Sequence, residues 1–147
     1  MRSALLLVAL ALAPVVPSFA LTQNQGQLVH GRYFASGKAT FAGIHIQYLR
    51  GKASVNAHGR VKARLTKIVS SPKSSQSFTT QVQLRGSVRK MRFSHGTFIA
   101  SARLRLSDGA VITGSFHGIS SGASPLSRYF KGTISGATNT NFVLRSR

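Results

Sequence analysis

The stretch from Thr97 to His117, TFIASARLRLSDGAVITGSFH, has the pattern of a β-hairpin. Its even-numbered residues from Phe98 to Leu106 are all apolar, and arginines stand among the odd-numbered ones. This period of two is typical of a strand with one buried face. The Asp108-Gly109 pair predicts a tight two-residue turn, because glycine adopts positive φ freely. In the second arm the inward row continues through Ile112, Gly114 and Phe116.

Short alternating segments separated by glycine recur along the rest of the chain, and no stretch predicts a helix convincingly. Residues 28–147 are therefore predicted to form a single all-β domain. About 8–10 strands in hairpin order favour an antiparallel meander, closed as a barrel or folded as a two-sheet sandwich. Closure would protect strand edges that are otherwise exposed. No stretch identifies a known family.

Two other stretches also have alternating rows of side chains that are predicted to point inward. One runs through even-numbered residues from Thr40 to Tyr48 and ends at Arg50-Gly51; the other runs from Phe78 to Leu84. A bulge would change which side chains point outward. The positions at which a bulge is most expected are Gly43, Gly86 and the Ile68-Val69 pair.

The N-terminal residues 1–20 have the features of a cleaved signal peptide. Arg2 precedes an apolar run from Ala4 to Ala13, and Ser18-Phe19-Ala20 supplies small residues before the predicted cleavage site. The run is shorter than the ~20 residues that a membrane-spanning helix needs. We therefore expect a secreted or periplasmic protein with a flexible leader over residues 21–27 and no spanning helix in the mature chain.

The charge balance is the most unusual property of the composition. Beyond Ala20 the chain has 19 lysines and arginines, and its one acidic residue is Asp108, so the net charge is +18. A field of this size repels itself and attracts anions. Cysteine is absent, which excludes disulfides and a lipid-anchored cysteine. The sequence predicts a polyanionic partner.

The segment after Gly59 shows how a strand could present such charge. Arg60, Lys62 and Arg64 alternate with Val61, Ala63 and Leu65, so the cations line one side about 6–7 Å apart. Arginine suits phosphate or sulfate because its guanidinium makes planar bidentate contacts. The predicted polyanion-binding residues are Arg60, Lys62, Arg64, Arg85, Arg89, Arg92, Arg103 and Arg105.

The identity of the partner remains open at this point. An anionic polymer or anionic cell-surface component fits: extracellular DNA or RNA bound without sequence specificity, lipopolysaccharide, or an acidic polysaccharide. The alternative is a small-ligand or structural β-barrel whose charge serves only solubility or adhesion. A small outer-membrane barrel is a third interpretation, although its aromatic girdles would be hard to build from three tyrosines and no tryptophan. Oligomeric state does not follow from the pattern.

Catalytic chemistry finds little support in the residues. General acid–base pairs need two carboxylates, or a histidine oriented by one, and Asp108 is explained by its turn. The five histidines show no ligand spacing, so neither a metal nor another cofactor is predicted. The expectation is a protein that is not an enzyme.

Overall fold

The computed structural model describes residues 21–42, 45–71, 73–120 and 128–147. In these ranges eight antiparallel strands follow one another around a closed barrel, in which the last strand pairs with the first. The all-β prediction is confirmed. Of the two predicted architectures, a barrel and a two-sheet sandwich, the structure has the barrel. The strands are β1 (Gly31–Phe41), β2 (His45–Val55), β3 (Arg60–Ser71), β4 (Ser74–Ser94), β5 (Thr97–Leu106), β6 (Val111–Ile119), β7 (Tyr129–Ile134) and β8 (Thr140–Ser146).

The predicted hairpin is formed by β5 and β6. Burial alternates without a break along β5, as its sequence indicates. The turn contains three residues rather than the predicted two, since the Leu106 N–H donates to the Ala110 carbonyl at 2.8 Å. Gly109 supplies the positive φ of 100°. The Asp108 carboxylate accepts the Ala110 N–H at 3.1 Å, which is the turn chemistry expected of aspartate.

One helix, α1 (Gln23–Val29), precedes the barrel, so the prediction of a helix-free chain was wrong. It also occupies most of the predicted flexible leader. A capping box forms between Thr22 and Gln25, and the last helical residue, Val29, is fully buried. A Cβ atom at Gly26 would overlap the Ala57 carbonyl oxygen, so this glycine lets the helix approach the β2–β3 turn. Seven residues are too few to show apolar periodicity, which is why the sequence pattern missed the helix.

The predicted signal peptide, residues 1–20, lies outside the described residues. Within the described part of the chain, no helix has the length and apolar character needed to cross a membrane.

The barrel interior is packed with apolar side chains from all eight strands. Tyr33, Phe116, Phe130 and Phe142 form a chain of ring contacts with centroids 5.1–6.2 Å apart. The Tyr33 hydroxyl donates to the Val29 carbonyl at 2.6 Å, which satisfies a buried polar group and joins the helix to the core. Burial raises the pKa of Tyr33 to about 12, although the nearby Arg128 charge acts in the opposite direction.

Strand β2 differs from the prediction in both extent and orientation. It continues through Gly51, where a Cβ atom would overlap the Arg64 carbonyl oxygen of the neighbouring strand. The inward residues are the odd-numbered ones, including Gln47 and Leu49, and Tyr48 is 42% exposed. The predicted inward row from Thr40 to Tyr48 was therefore wrong, because pairing along the whole of β2 places the opposite set of side chains in the core.

The end of the β3–β4 hairpin also departs from the predicted core. Phe78 has the inward alternation of Val82 and Leu84, yet it is 67% exposed. The two strands pair from Arg60 as far as Ser71. We infer that the hairpin extends past the packed interior, where an inward direction no longer means burial.

The irregular position in β4 is not the predicted Gly86. The register with β5 shifts between Val88 and Met91, so Arg89 and Lys90 together oppose one residue of β5. Lys90 has φ of 20°. A second shift lies between Ser70 and Ser71, close to the predicted Ile68-Val69 pair. The β4 bulge changes which of the later cations point outward.

Candidate functional site

Three of the predicted cations lie side by side across adjacent strands. In the register, Lys62 on β3 is directly opposite Arg85 on β4, and Arg85 is directly opposite Arg105 on β5. All three side chains are exposed, because alternation along each strand points them outward while their neighbours Val61, Leu84 and Leu104 point into the interior and are buried. We call Lys62, Arg85 and Arg105 the basic row.

Further cations flank this row on either side. Arg60 on β3 and Arg103 on β5 are separated by Ser87 of β4. Arg64 lies opposite Gln83, two residues along β3 from Lys62. We call the basic row together with Arg60, Arg64 and Arg103 the basic face. The structure thus brings six of the eight predicted residues onto one outward surface of β3, β4 and β5.

The remaining two predicted residues, Arg89 and Arg92, are not brought onto that face. Arg89 lies in the β4 bulge, beyond the last β3 pairing at Ser87. Arg92 is opposite Ile99 and separated from Arg85 by seven positions, which is roughly 20 Å along a strand. Both side chains are exposed, but they lie towards the far end of β4.

Strands β1 and β2 extend the basic face with residues that the sequence interpretation did not select. A shallow depression of about 390 Å³ is lined by cations of β3 and β4 together with Arg32, Lys52 and Arg147. Lys52 is directly opposite Arg64. The alternation of Lys52 with the apolar Ala53 could have identified it. Arg32 lies in line with Lys62 because Ser54 of β2 pairs with both residues. Arg147 becomes a neighbour of the face only because the barrel closes, and its N–H donates to the Arg32 carbonyl at 3.0 Å.

The chain has one acidic residue to balance these charges, and that residue is engaged elsewhere. The Lys67 ammonium donates to the Asp108 carboxylate at 2.5 Å, between β3 and the β5–β6 turn. Partial burial acts to raise the pKa of Asp108, but the Lys67 and Ala110 hydrogen bonds and the Lys67 charge outweigh it and lower that pKa. No acidic side chain is left for the basic face.

The chemistry of this face follows from its donors. Guanidinium groups present forked N–H donors and Lys62 presents an ammonium group, so the face matches phosphate, sulfate or carboxylate oxygens. Like charges directly opposite on neighbouring strands destabilise a sheet by up to about 1 kcal/mol per pair. An anion placed between Lys62 and Arg85, or between Arg85 and Arg105, would attract both cations and so offset that repulsion.

Fold and surface together define a class: an eight-stranded up-and-down β-barrel with an apolar interior and a cationic exterior. It is similar to a de novo designed fluorescence-activating β-barrel, with a TM-score of 0.50 and 17% identity over 84% of this chain and 98% of that chain. A redesigned β-barrel, mFAP1, in a structure bound to DFHBI, gives a TM-score of 0.48 and 13% identity over 82% of this chain and 96% of that one. The first likeness supports the fold alone. No protein-family model and no curated protein matches the chain.

Proposed function

We propose that this protein is exported to the periplasm or the exterior and binds an anionic polymer through the basic face. The observation that carries the proposal is the basic row, in which three cations occupy directly paired positions on adjacent strands. We assign the protein a binding role and not a catalytic one.

Self-repulsion within the face supports a polymeric partner. The like charges of the three cations repel one another in the folded protein, and no acidic side chain offsets this repulsion. The cations are Lys62, Arg85 and Arg105. A chain of phosphates or sulfates offers several anions at once, so each new contact is made without a further loss of translational freedom. DNA, RNA, lipopolysaccharide and acidic polysaccharide all carry suitable groups. Contacts of this kind give affinity without base specificity.

The distribution of side chains supports binding at the outer surface of the barrel. In a transmembrane barrel the outward row is apolar and the interior is polar. Here the outward positions of β3, β4 and β5 carry the basic face, and their inward positions carry buried apolar residues such as Leu65, Leu84 and Leu104. This arrangement weighs against the outer-membrane interpretation.

Salt-dependent binding tests the proposal directly. The mature protein is titrated against fluorescein-labelled DNA, heparin and lipopolysaccharide between about 50 and 500 mM salt, since the slope of log affinity against log salt counts the phosphates contacted. The variant Lys62→Gln/Arg85→Gln removes two members of the basic row. For DNA we expect its slope to fall by about 1.4–1.8, because each lost phosphate contact accounts for about 0.7–0.9.

The matched control is Lys73→Gln/Arg92→Gln, which removes the same charge from exposed positions away from the basic face. It should leave the slope nearly unchanged. Equal losses in both variants would show that net charge, rather than this face, attracts the polymer. Absence of binding to all three polymers at the lowest salt would overturn the proposal. Export is tested separately, by sequencing the N-terminus of the mature protein, which we expect at Leu21.

A second candidate is a small-ligand barrel, and one observation favours it. Gln47 points inward on β2 and is buried, but its side-chain Nε2 has no hydrogen-bond partner among the residues that the structure describes. A bound molecule with an acceptor oxygen would satisfy this amide. Native mass spectrometry of freshly purified protein tests the candidate, because a retained ligand adds a discrete mass that denaturation removes.

A further inference from the structure

Two exposed aromatic rings lie on the outer surface near the basic face. Phe34 on β1 is 50% exposed, and Tyr129 on β7 is 40% exposed. Both occupy outward positions, next to the buried Tyr33 and Phe130. Neither ring is needed for the core.

The register surrounds these rings with cations. Phe34 is directly opposite Arg145 of β8 on one side and Lys52 of β2 on the other. Arg145 is in turn opposite Tyr129 of β7. The two rings therefore lie about two strand spacings apart, roughly 10 Å, with a guanidinium-bearing residue between them.

Side-chain contacts already show that these rings accept flat partners. The Arg147 guanidinium lies 4.8 Å from the centroid of the Phe34 ring. The His117 ring stacks on Tyr129 at 5.0 Å with an interplanar angle of 13°. We call Phe34, Tyr129 and His117 the aromatic band. Stacking on an aromatic or guanidinium plane is how proteins hold unpaired nucleic-acid bases.

The aromatic band is continuous with the basic face. Lys52, which is opposite Phe34, is also opposite Arg64 of β3. Arg147, which contacts Phe34, lines the same depression as Lys62 and Arg85. A flexible polymer lying on the basic face could therefore reach the rings without crossing a neutral gap.

We propose that the polymer is a single-stranded nucleic acid, whose phosphates contact the basic face while its bases stack on Phe34 and Tyr129. This inference rests on the proposed function and narrows it to one class of polymer. Bases of a single strand have free π-faces, whereas those of a duplex are stacked on each other. A sulfated polysaccharide would engage the cations and leave the rings without a planar partner.

Paired oligonucleotides separate stacking from charge. One probe is a labelled oligo-dT, and the other is an abasic oligomer of the same length and charge. We expect the parent protein to bind oligo-dT at least about 10-fold more tightly than the abasic oligomer, since base stacking is sequence-tolerant but requires a base. The variant Phe34→Leu/Tyr129→Leu should lose most of this preference and keep its affinity for the abasic oligomer.

Tyr48→Leu is the matched control. Tyr48 is also outward, 42% exposed, and lies beside a cation, with Lys38 5.8 Å from its ring centroid, but it is not part of the aromatic band. Its replacement should not change the preference for oligo-dT.

A spectroscopic measurement reports the contact independently of affinity. The chain contains no tryptophan, so Phe34→Trp introduces a single tryptophan at the band, whose emission can be excited apart from that of the three tyrosines. Stacked thymine should quench it, whereas the abasic oligomer and heparin should not. Tyr48→Trp should be insensitive to all three polymers.

The possible outcomes distinguish the two proposals. Equal affinity for oligo-dT and the abasic oligomer, with no quenching of Phe34→Trp, overturns the single-strand inference and leaves polyanion binding intact. Tighter binding of duplex DNA or heparin than of oligo-dT also overturns it. Absence of binding to all of these polymers and to lipopolysaccharide at low salt overturns the proposed function itself.

Discussion

Lys62 and Arg85 lie directly opposite each other on β3 and β4, although both carry positive charge. A cross-strand pair of opposite charges would stabilise the same position. The barrel therefore keeps an arrangement that weakens the fold, which is expected if the basic face binds the proposed anionic polymer.

Replacing Arg85 by glutamate should make the isolated protein more stable. The new carboxylate would lie between Lys62 and Arg105, and two repulsive pairs would become attractive, a gain of about 1 kcal/mol. Urea unfolding measures it. Arg92→Glu, which lies opposite Ile99, is the control and should gain less. The same Arg85→Glu substitution should weaken DNA binding, so stability and affinity would move in opposite directions.

Asp108 should make stability depend on pH. Its pKa is lowered in the folded protein, so the carboxylate contributes stability above its unfolded-state pKa and loses that contribution as the pH falls through the folded-state pKa. Asp108→Asn keeps an acceptor for the Ala110 N–H but removes the charge pair with Lys67. We expect a loss of about 0.5 kcal/mol at neutral pH, and a smaller difference from the parent in acid. Thermal unfolding at neutral and acidic pH measures this difference, and a constant difference would contradict it.

Gln47 should limit the stability of the barrel when no ligand is bound. Its Nε2 is buried without a partner among the described residues, and such a group costs about 1–3 kcal/mol. Gln47→Met keeps the length of the side chain and should raise the urea midpoint. Gln81→Met is the control: Gln81 is exposed and donates to Thr66 at 3.1 Å, so its loss should be nearly neutral or slightly harmful. A destabilised Gln47→Met protein would indicate that the amide has a partner.

Gly114 should tolerate no side chain. It is paired with Gly132 across β6 and β7, and a Cβ atom there would overlap the Lys131 carbonyl oxygen. Gly114→Ala should cost about 3 kcal/mol, because backbone atoms must move. Gly96→Ala is the comparison, since Gly96 has φ of 77° and no atom of the described residues lies within 4 Å of the position its Cβ would take. That substitution should cost only about 1–2 kcal/mol of backbone strain.

The sequence predicted best where local alternation and burial agree. The inward row of β5, the inward Phe116, and the position of the turn at Asp108 all follow from residues within one hairpin. These features need no knowledge of distant partners, because period-two alternation and turn chemistry are local. The same reasoning placed Lys62 and Arg64 on the outside correctly.

Features set by pairing between strands could not be predicted in the same way. The outward direction of Arg92 depends on the bulge at Arg89 and Lys90, which exists only in register with β5. The inward direction of Gln47 depends on pairing along the whole of β2. Phe34 became a candidate for base stacking only because closure of the barrel places Arg145 beside it.

The alternation of strand residues separates two kinds of evolutionary constraint in this protein. Substitutions at inward positions such as Leu84 or Leu104 must preserve a tightly packed interior, whereas Lys62, Arg85 and Arg105 can be exchanged without touching it. A lineage could therefore change the charge of the exterior, even reversing its sign, in single steps that leave the barrel intact. In this fold the exposed residues can therefore change faster in evolution than the buried residues that hold the barrel together.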